Sequence, residues 1–357
     1  MLIFRQLFDQ DSYTYTYLLG DSNSREAVII DTVYEQSTRD CSLINELELQ
    51  LLHVIDTHCH ADHVTGAWLM KYQLDAKISI SRHAGVEGAD NVLVDGDHIK
   101  FGSRYLQVRE TPGHTSGCVT YVLDDETMAF TGDALLVRGC GRTDFQQGSP
   151  SMLYQSIKTK ILTLPNSTKI YPAHDYDGVT VTSVAEEKEF NPRVGGQSSQ
   201  KDFVLYMNSL GLPHPGKIDV ALPANLNCGR PKNGRITDEL PMWGPLKKTF
   251  AGVWEIDAEW VLENLSEVLL LDVREHDEFE GSLGHIVNAK QIALGSLANR
   301  VGEIDTQTPV VTVCRSGARS AQAIFLLQQA GVTKAANLSG GMLRWRDRGY
   351  PVVGGAS

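Results

Sequence analysis

No stretch of the chain approaches the roughly 18–20 consecutive apolar residues of a membrane-spanning helix. A membrane is therefore not expected as a partner. The six cysteines, at positions 41, 59, 118, 140, 228 and 314, form no Cys-x-x-Cys pair and no dense framework. That excludes a disulfide-stapled scaffold, and reduced thiols in a cytoplasm are the simplest reading. Positive charge is also in short supply. The net charge of -12 argues against nucleic acid and anionic lipid as partners. It sets a condition as well: an anionic substrate would need local Lys or Arg at its site. The start of the chain, Met1 to Asp9, carries an early acid and no small-residue cleavage pattern, so it reads as a first strand and not a signal peptide. Internal repeats and low-complexity tracts are missing too.

What is present is an ordinary globular composition, 42% apolar and 21% charged, over 357 residues. That length exceeds what one core usually serves, so two domains are expected. Over the first ~225 residues short apolar runs alternate with turns and a few helical stretches. Tyr13–Leu19, Ala27–Ile30, Leu52–Asp56, Ile78–Ile80, Leu106–Val108, Val119–Leu123 and Met128–Phe130 read as strands, the second closed by Asp31. Ser151–Leu162 reads as a helix with Leu153, Ile157 and Ile161 on one face. Many short strands with helices between them indicate an α/β sandwich over 1–227. Gly229, Pro231, Gly234, Pro241, Gly244 and Pro245 then mark 228–253 as a linker. From 254 to 357 a βα rhythm returns, with strands at Val268–Leu271 and Val310–Val313 and a helix at Ala318–Gln329. This predicts a small α/β domain with a parallel sheet.

The densest chemical signal is Thr57-His58-Cys59-His60-Ala61-Asp62-His63, directly after an apolar strand. Three His and one Asp in six residues can aim several nitrogens and an oxygen at one point, and neutral imidazole is the commonest metal ligand. Three later segments each end a strand with a His or Asp beside a Gly or Pro turn. They are Thr111-Pro112-Gly113-His114, Thr131-Gly132-Asp133 and Tyr171-Pro172-Ala173-His174-Asp175. The set His58, His60, Asp62, His63, His114, Asp133 and His174 resembles the metallo-β-lactamase superfamily, an αββα sandwich with its metal site at the strand edges. The ligand spacing leaves the metal open. All seven residues would support two zinc ions and hydrolysis, as in glyoxalase II. Two His and one carboxylate would instead suit one non-haem Fe(II) and dioxygen.

A further stretch separates these options by resemblance. Arg138-Gly139-Cys140-Gly141-Arg142-Thr143-Asp144-Phe145-Gln146-Gln147-Gly148 is similar to the persulfide dioxygenase family, as are Tyr171–Tyr176 and Phe190-Asn191-Pro192-Arg193. The resemblance implies one Fe(II) held by His58, His114 and Asp133. It makes His60, Asp62, His63 and His174 supporting groups around those ligands. It also places glutathione contacts at Arg142 and Tyr176, with Arg193 and Lys217 as further candidates. The substrates it implies are glutathione persulfide and O2, and the products glutathione and sulfite.

The second domain has its own chemical centre. Val310–Val313 leads into Cys314-Arg315-Ser316-Gly317-Ala318-Arg319-Ser320, a strand, a cysteine, a tight turn and a helix start. A thiolate there faces backbone N–H groups and the positive end of a helix dipole, with Arg315 and Arg319 adding charge. The loop resembles the rhodanese family. Leu271–Glu275, Gly284–Ala289 and Leu338–Trp345 add to the match. Phosphatases of similar fold carry a longer loop between Cys and Arg, so the compact loop favours sulfur over phosphate. The resemblance implies Cys314 as a carrier of sulfur from thiosulfate to a thiol such as glutathione, and it makes Asp272 and Arg274 structural. Cys59, Cys118, Cys140, Cys41 and Cys228 have no comparable setting.

Together these readings predict a cytoplasmic bifunctional enzyme, an Fe(II) persulfide dioxygenase joined to a rhodanese sulfurtransferase. The alternatives are a dinuclear zinc thioesterase of glyoxalase II type with a rhodanese appendage, and a rhodanese-like domain that only docks a partner. The oligomeric state stays open, a homodimer among the options.

Overall fold

A computed structural model describes residues 1–213, 216–231 and 243–355. The chain divides into two compact units, Met1–Ile236 and Thr237–Ser357. Residues 232–242 of the expected linker lie outside the described residues. On its flanks, Cys228 packs into the core of the first unit, and Lys247–Lys248 pairs with Trp254 and Glu255 in the sheet of the second.

The first unit holds two six-stranded sheets. One runs in sequence order through β1 (Leu2–Asp9), β2 (Thr14–Asp21), β3 (Glu26–Ile30), β4 (Gln50–Ile55), β5 (Lys77–Ser81) and β6 (Asn91–Leu93). The other contains β7 (His98–Phe101), β8 (Arg104–Glu110), β9 (Val119–Leu123), β10 (Met128–Gly132), β11 (Lys169–Pro172) and β12 (Thr182–Ser183). Strand parity explains the layering, because successive side chains leave opposite faces. Tyr17, Leu19, Val28 and Ile30 point to a core shared with Leu106, Val108, Tyr121 and Phe130 of the second sheet. Their neighbours Leu18, Ala27 and Ile29 point the other way, under Ile44 and Met70 of the helices Ser37–Glu46 and Ala67–Leu74. On the far side Val122, Ala129 and Ile170 meet Leu153, Ile157, Phe203 and Met207. The result is helix, sheet, sheet, helix, as the fold class predicted. The expected helix Ser151–Leu162 splits into an α segment, Pro150–Ser156, and a π turn, Ile157–Ile161. Both keep Leu153, Ile157 and Ile161 buried.

This topology collects the polar residues at one sandwich edge. β3 and β4 run parallel, with Ile30 opposite Ile55, so Asp31 and the loop from Asp56 onward leave the sheet side by side. β10 and β11 are also parallel, with Gly132 opposite Pro172, which brings Asp133 beside His174.

The second unit is one sheet with β13 (Lys247–Lys248), β14 (Trp254–Ile256), β15 (Leu269–Asp272), β16 (Lys290–Gln291), β17 (Val310–Val313) and β18 (Ala335–Leu338). Its order is 13-14-18-17-15-16, parallel except at the first pair. One face packs Val310, Leu271, Ile324 and Leu327, and the other packs Val311, Val313, Leu338, Met342 and Trp345. Among the described residues no helix is long and apolar enough to cross a membrane.

Asp272 and Arg274 are fully buried in this unit. Arg274 makes three donor contacts to the Asp272 carboxylate, at 2.6–3.1 Å, and caps the carbonyls of Glu278 (3.0 Å) and Gly284 (2.9 Å). Removing one partner of such a pair strands a buried charge, which costs about 3–5 kcal/mol. Arg274→Ala is therefore expected to lower the stability of the second unit by about that amount. Tryptophan fluorescence during urea unfolding of the full chain reads it, since four of the five tryptophans (243, 254, 260 and 345) lie in that unit. An unchanged transition would mean that the pair holds nothing together.

Candidate metal centre and nucleophilic cysteine

The histidine loop is pinned from two sides. Asp31, at the end of β3 with a left-handed φ of 52°, accepts the Thr57 N–H at 2.6 Å, the Thr57 hydroxyl at 2.9 Å and His60 Nε2 at 3.1 Å. Asn225 Nδ2 donates to the carbonyls of His60 (2.9 Å) and His63 (2.8 Å), while its Oδ1 accepts the Thr65 N–H. Gly132, at φ +55°, precedes Asp133. A Cβ there would lie 2.6 Å from the Thr57 hydroxyl oxygen, so only glycine fits.

His58, His114 and Asp133 offer donor atoms that all lie within 4.8 Å of one another. Each is anchored through its other donor atom. The single hydrogen of the Thr57 hydroxyl goes to Asp31, so Thr57 oxygen accepts from His58 Nδ1 at 3.0 Å. His114 Nδ1 donates to the Arg142 carbonyl at 2.6 Å. In the neutral tautomer that such a bond selects, the lone pair is on Nε2. Asp133 Oδ1 accepts His174 Nδ1 at 2.7 Å, and its Oδ2 lies 3.6 Å from His114 Nε2. Burial pushes the His58 pKa well below the usual imidazole range, which keeps the ring neutral. Burial alone would raise Asp133, but the neighbouring His174 holds it ionised and below the carboxylate range. Two imidazoles and one carboxylate, each oriented from behind, fit a facial-triad metal site.

His60, Asp62, His63 and His174 form a second group of the same compactness. Its hydrogen bonding differs. His174 bridges two carboxylates, with Nδ1 to Asp133 and Nε2 to Asp62 at 3.0 Å. Burial opposes its charge, yet the two carboxylates hold its pKa well above the usual value. His63 Nδ1 lies 2.8 Å from Asp62. His60 Nδ1 and His63 Nε2 are buried without a hydrogen-bond partner.

A cavity of about 830 Å³ opens onto His58, His114 and Asp133, and Arg142, Tyr176, Arg193 and Lys217 all line it. The structure thus brings together every residue expected to contact substrate, but it commits two of them elsewhere. Arg142 forks onto Asp144 (2.6 Å through each nitrogen) and the carbonyls of Leu212 and Pro213. Arg193 donates to the Cys140 carbonyl at 2.8 Å and lies over the Tyr206 ring. Lys217 has no ion-pair partner among the described residues, and exposed Tyr176 stacks on His174 at 6.4 Å. Cys59 and Cys118 beside the site are pushed up to about 12 by burial, so neither offers a thiolate.

In the second unit Cys314 Sγ accepts the Gly317 N–H and the Ser320 hydroxyl, both at 3.2 Å. Burial raises a thiol pKa, but the Ser320 hydroxyl and the N–H groups of Ser320, Ser316 and Gly317 bring this one below the ordinary value. The loop carbonyls are turned away from the sulfur. Met342 N–H takes Cys314 O (2.8 Å) and Leu343 N–H takes Arg315 O (2.9 Å). Gly341, at φ +56°, makes room for this: a Cβ would stand 2.4 Å from Cys314 O. Arg319 is paired bidentately with Glu278 at 2.6 and 2.7 Å, and that bond pulls Glu278 down to about 2. Arg315 is exposed beside the cysteine.

Residues 10–174 match the model of the metallo-beta-lactamase superfamily, and residues 257–348 that of the rhodanese-like domain. Over 229 residues the chain is 55% identical to the mitochondrial persulfide dioxygenase ETHE1 of Bos taurus, covering 64% of this chain and 89% of that protein. The chain belongs to the persulfide dioxygenase family. It joins to that domain a rhodanese-like one. The crystal structure of ETHE1 from Myxococcus xanthus superposes with a TM-score of 0.62 at 50% identity, over 64% of this chain and 99% of that one. A metallo-beta-lactamase from Staphylococcus aureus shares the fold over 95% of this chain and 98% of its own, with a TM-score of 0.61 at 22% identity. For a member of the persulfide dioxygenase family, the superfamily implies a catalytic metal ion.

Several supporting residues escaped the sequence reading. Asp31 was visible there only as an acid closing a strand, and Asn225 carried no signal at all. Thr14, Ser320 and Glu278 carried no signal of their own, since lone hydroxyls and acids occur everywhere. Ser320→Ala is expected to raise the Cys314 pKa, so the thiolate fraction at neutral pH falls and alkylation of Cys314 slows. Ser320→Thr keeps the hydroxyl and the rate. Peptide mapping of iodoacetamide-labelled protein across pH measures this, and an unshifted profile in the alanine variant would sink it.

Proposed function

We propose that the first unit oxidises glutathione persulfide with O2 at one Fe(II), and that the second passes sulfane sulfur through Cys314 between thiosulfate and glutathione. The observation that carries the first half is the triad of His58, His114 and Asp133. Each keeps one free donor atom facing the cavity, in a chain of the persulfide dioxygenase family. These three residues would hold the iron, and a ferrous ion there supplies the one-electron chemistry that lets dioxygen react with a sulfur anion. The chain contributes the rest. Thr57, the Arg142 carbonyl and His174 fix the three ligands. Lys217 and Tyr176 offer a charge and a hydroxyl to the glutathione moiety, and Arg142 and Arg193 shape the wall behind it. One persulfide, one O2 and one water give glutathione, sulfite and two protons. The S–S bond breaks, the outer sulfur is oxidised and dioxygen is reduced.

In the rhodanese-like unit the Cys314 thiolate attacks the outer sulfur of thiosulfate, and sulfite leaves with the bonding pair. The donors that surround Sγ stabilise the resulting persulfide anion. A glutathione thiolate then takes the sulfur and restores Cys314. Carrying both activities on one chain raises the effective concentration of the shared glutathione persulfide.

A second reading, a dinuclear zinc thioesterase, draws on the compact group of His60, Asp62, His63 and His174. Oxygen uptake separates the two. Anaerobically Fe(II)-loaded protein is expected to consume O2 on addition of glutathione persulfide, with sulfite formed in equal amount. His114→Ala abolishes both signals. Cys314→Ser leaves them intact and removes transfer from thiosulfate to glutathione or cyanide. Folded, iron-containing protein that consumes no O2 would overturn the dioxygenase reading in favour of zinc and thioester hydrolysis.

A further inference from the structure

The first unit holds a second, smaller cavity with no part in seating glutathione. Its volume is about 230 Å³, and Cys59, Ala84, Phe145, Ile218, Leu222 and Leu226 form its apolar wall. Ile218, Leu222 and Leu226 come from the helix Ile218–Asn225 and its C-terminal end. They are only partly covered, so this side faces solvent. Cys59 and Thr115 follow His58 and His114 directly in sequence, so the inner end abuts the loops that carry the triad.

Phe145 lines both cavities. Its ring meets the His114 ring edge-on, with centroids 5.8 Å apart, and the Arg142 guanidinium lies 5.0 Å from its centroid. The turn that follows ties it to both ligand loops. Gln146 Nε2 donates to the Cys59 carbonyl at 2.8 Å, and Ser116 Oγ donates to Gln147 Oε1 at 2.9 Å. Gln146 and Gln147 have left-handed φ values of 48° and 57°, a strain that persists only where the surroundings enforce it.

The two cavities differ in what they can take. Arg142, Arg193, Lys217, Asp62 and Asp133 line the larger one, which suits a charged tripeptide. Among the described residues no charged side chain lines the smaller one. A drug-sized ligand needs roughly 300–1,000 Å³, so a glutathione derivative does not fit there. An apolar cavity of about 150 Å³ lined by Leu, Ile and Phe stays dry and binds xenon. An uncharged, weakly hydrated diatomic gas prefers such a space to water for the same reason. Of the polar groups on this wall, the Thr115 hydroxyl contacts Cys118 Sγ and the Ser116 hydroxyl is held by Gln147. Gln146 Oε1 is buried without a hydrogen-bond partner.

We propose that the smaller cavity is the entrance for O2, with Phe145 as the inner door between it and the triad. Gas enters beside Ile218 and Leu222, collects against Cys59 and Phe145, and reaches the His114 side when the Phe145 ring turns. A persulfide seated in the larger cavity blocks that approach and leaves this one open, so O2 can arrive at an occupied site. The inference rests on the reading of the first unit as an O2-consuming enzyme.

Xenon-pressurised crystals of the full, iron-loaded chain test it, together with O2 kinetics at saturating glutathione persulfide. Wild type is expected to show xenon between Cys59, Phe145 and Leu222. Leu222→Trp and Ile218→Trp, which fill the mouth, are expected to lose the xenon. They are also expected to lower kcat/KM for O2 about fivefold, with kcat at saturating O2 and the KM for glutathione persulfide unchanged. Leu222→Ala keeps both the xenon and the wild-type kcat/KM. Should one tryptophan variant fail to fold by circular dichroism, the other decides. A wild-type cavity that holds ordered water on Gln146 and no xenon overturns the proposal. So does a folded tryptophan variant that has lost xenon but keeps the wild-type kcat/KM for O2. Both results leave the dioxygenase reading standing. Iron-loaded wild type that consumes no O2 overturns that reading, and the entrance with it.

Discussion

The chemistry of the first unit depends on the buried carboxylate of Asp31. A strand end is the natural place to present ligands, but a run of six residues with three histidines has many conformations, and fixing each residue costs about 1–2 kcal/mol. Asp31 removes that freedom with three hydrogen bonds to Thr57 and His60. One of them has a consequence beyond the loop. By taking the Thr57 hydroxyl hydrogen, Asp31 makes Thr57 an acceptor, which sets the tautomer of His58 and leaves its lone pair toward the cavity. The parallel pairing of β3 with β4 puts Asp31 within reach, so sheet topology and ligand chemistry are tied through one carboxylate.

Where protons sit then separates two groups of residues that look alike. Both hold histidines and a carboxylate at metal-binding separations. In the triad the outer hydrogen bonds are made by the far atoms. In the other group they are made between the members themselves and with Thr14, while His60 Nδ1 and His63 Nε2 stay buried without a partner. Residues of the same types thus sit in two different hydrogen-bond arrangements at one sandwich edge.

The rhodanese-like unit concentrates donors in a comparable way. The carbonyls of Cys314 and Arg315 are drawn off by the first turn of the helix Gly341–Asp347, so the sulfur meets N–H groups and a hydroxyl. Gly341 permits that close approach. Arg319, which the sequence reading took with Arg315 to add charge beside the sulfur, is held by Glu278, so Arg315 is the exposed cation at the loop. In the first unit Arg142 is held likewise by Asp144, and Arg193 by the Cys140 carbonyl. In a chain of net charge -12, Lys217 and Arg193 are cavity cations with no ion-pair partner among the described residues, and of the two Lys217 makes no side-chain hydrogen bond there.

Much of this was readable along the chain. Apolar patterning placed the strands Val119–Leu123 and Val310–Val313 and the helix Ala318–Gln329 with the bounds they have in the fold. The spacing of His58, His60, Asp62 and His63 placed a metal loop after β4, and the turn after Cys314 placed a nucleophile before a helix. Periodicity and local spacing suffice for such features because they express backbone geometry over a few residues. The hydrogen bonding around the seven candidate ligands was not readable in that way. It rests on Thr14, 48 residues from Asp62 and 160 from His174, on Asn225, 162 from His63, and on Arg142, whose carbonyl is 28 residues from His114. A histidine's role is set by which of its nitrogens carries a proton, and that is decided by whichever donor or acceptor the folded chain brings alongside it.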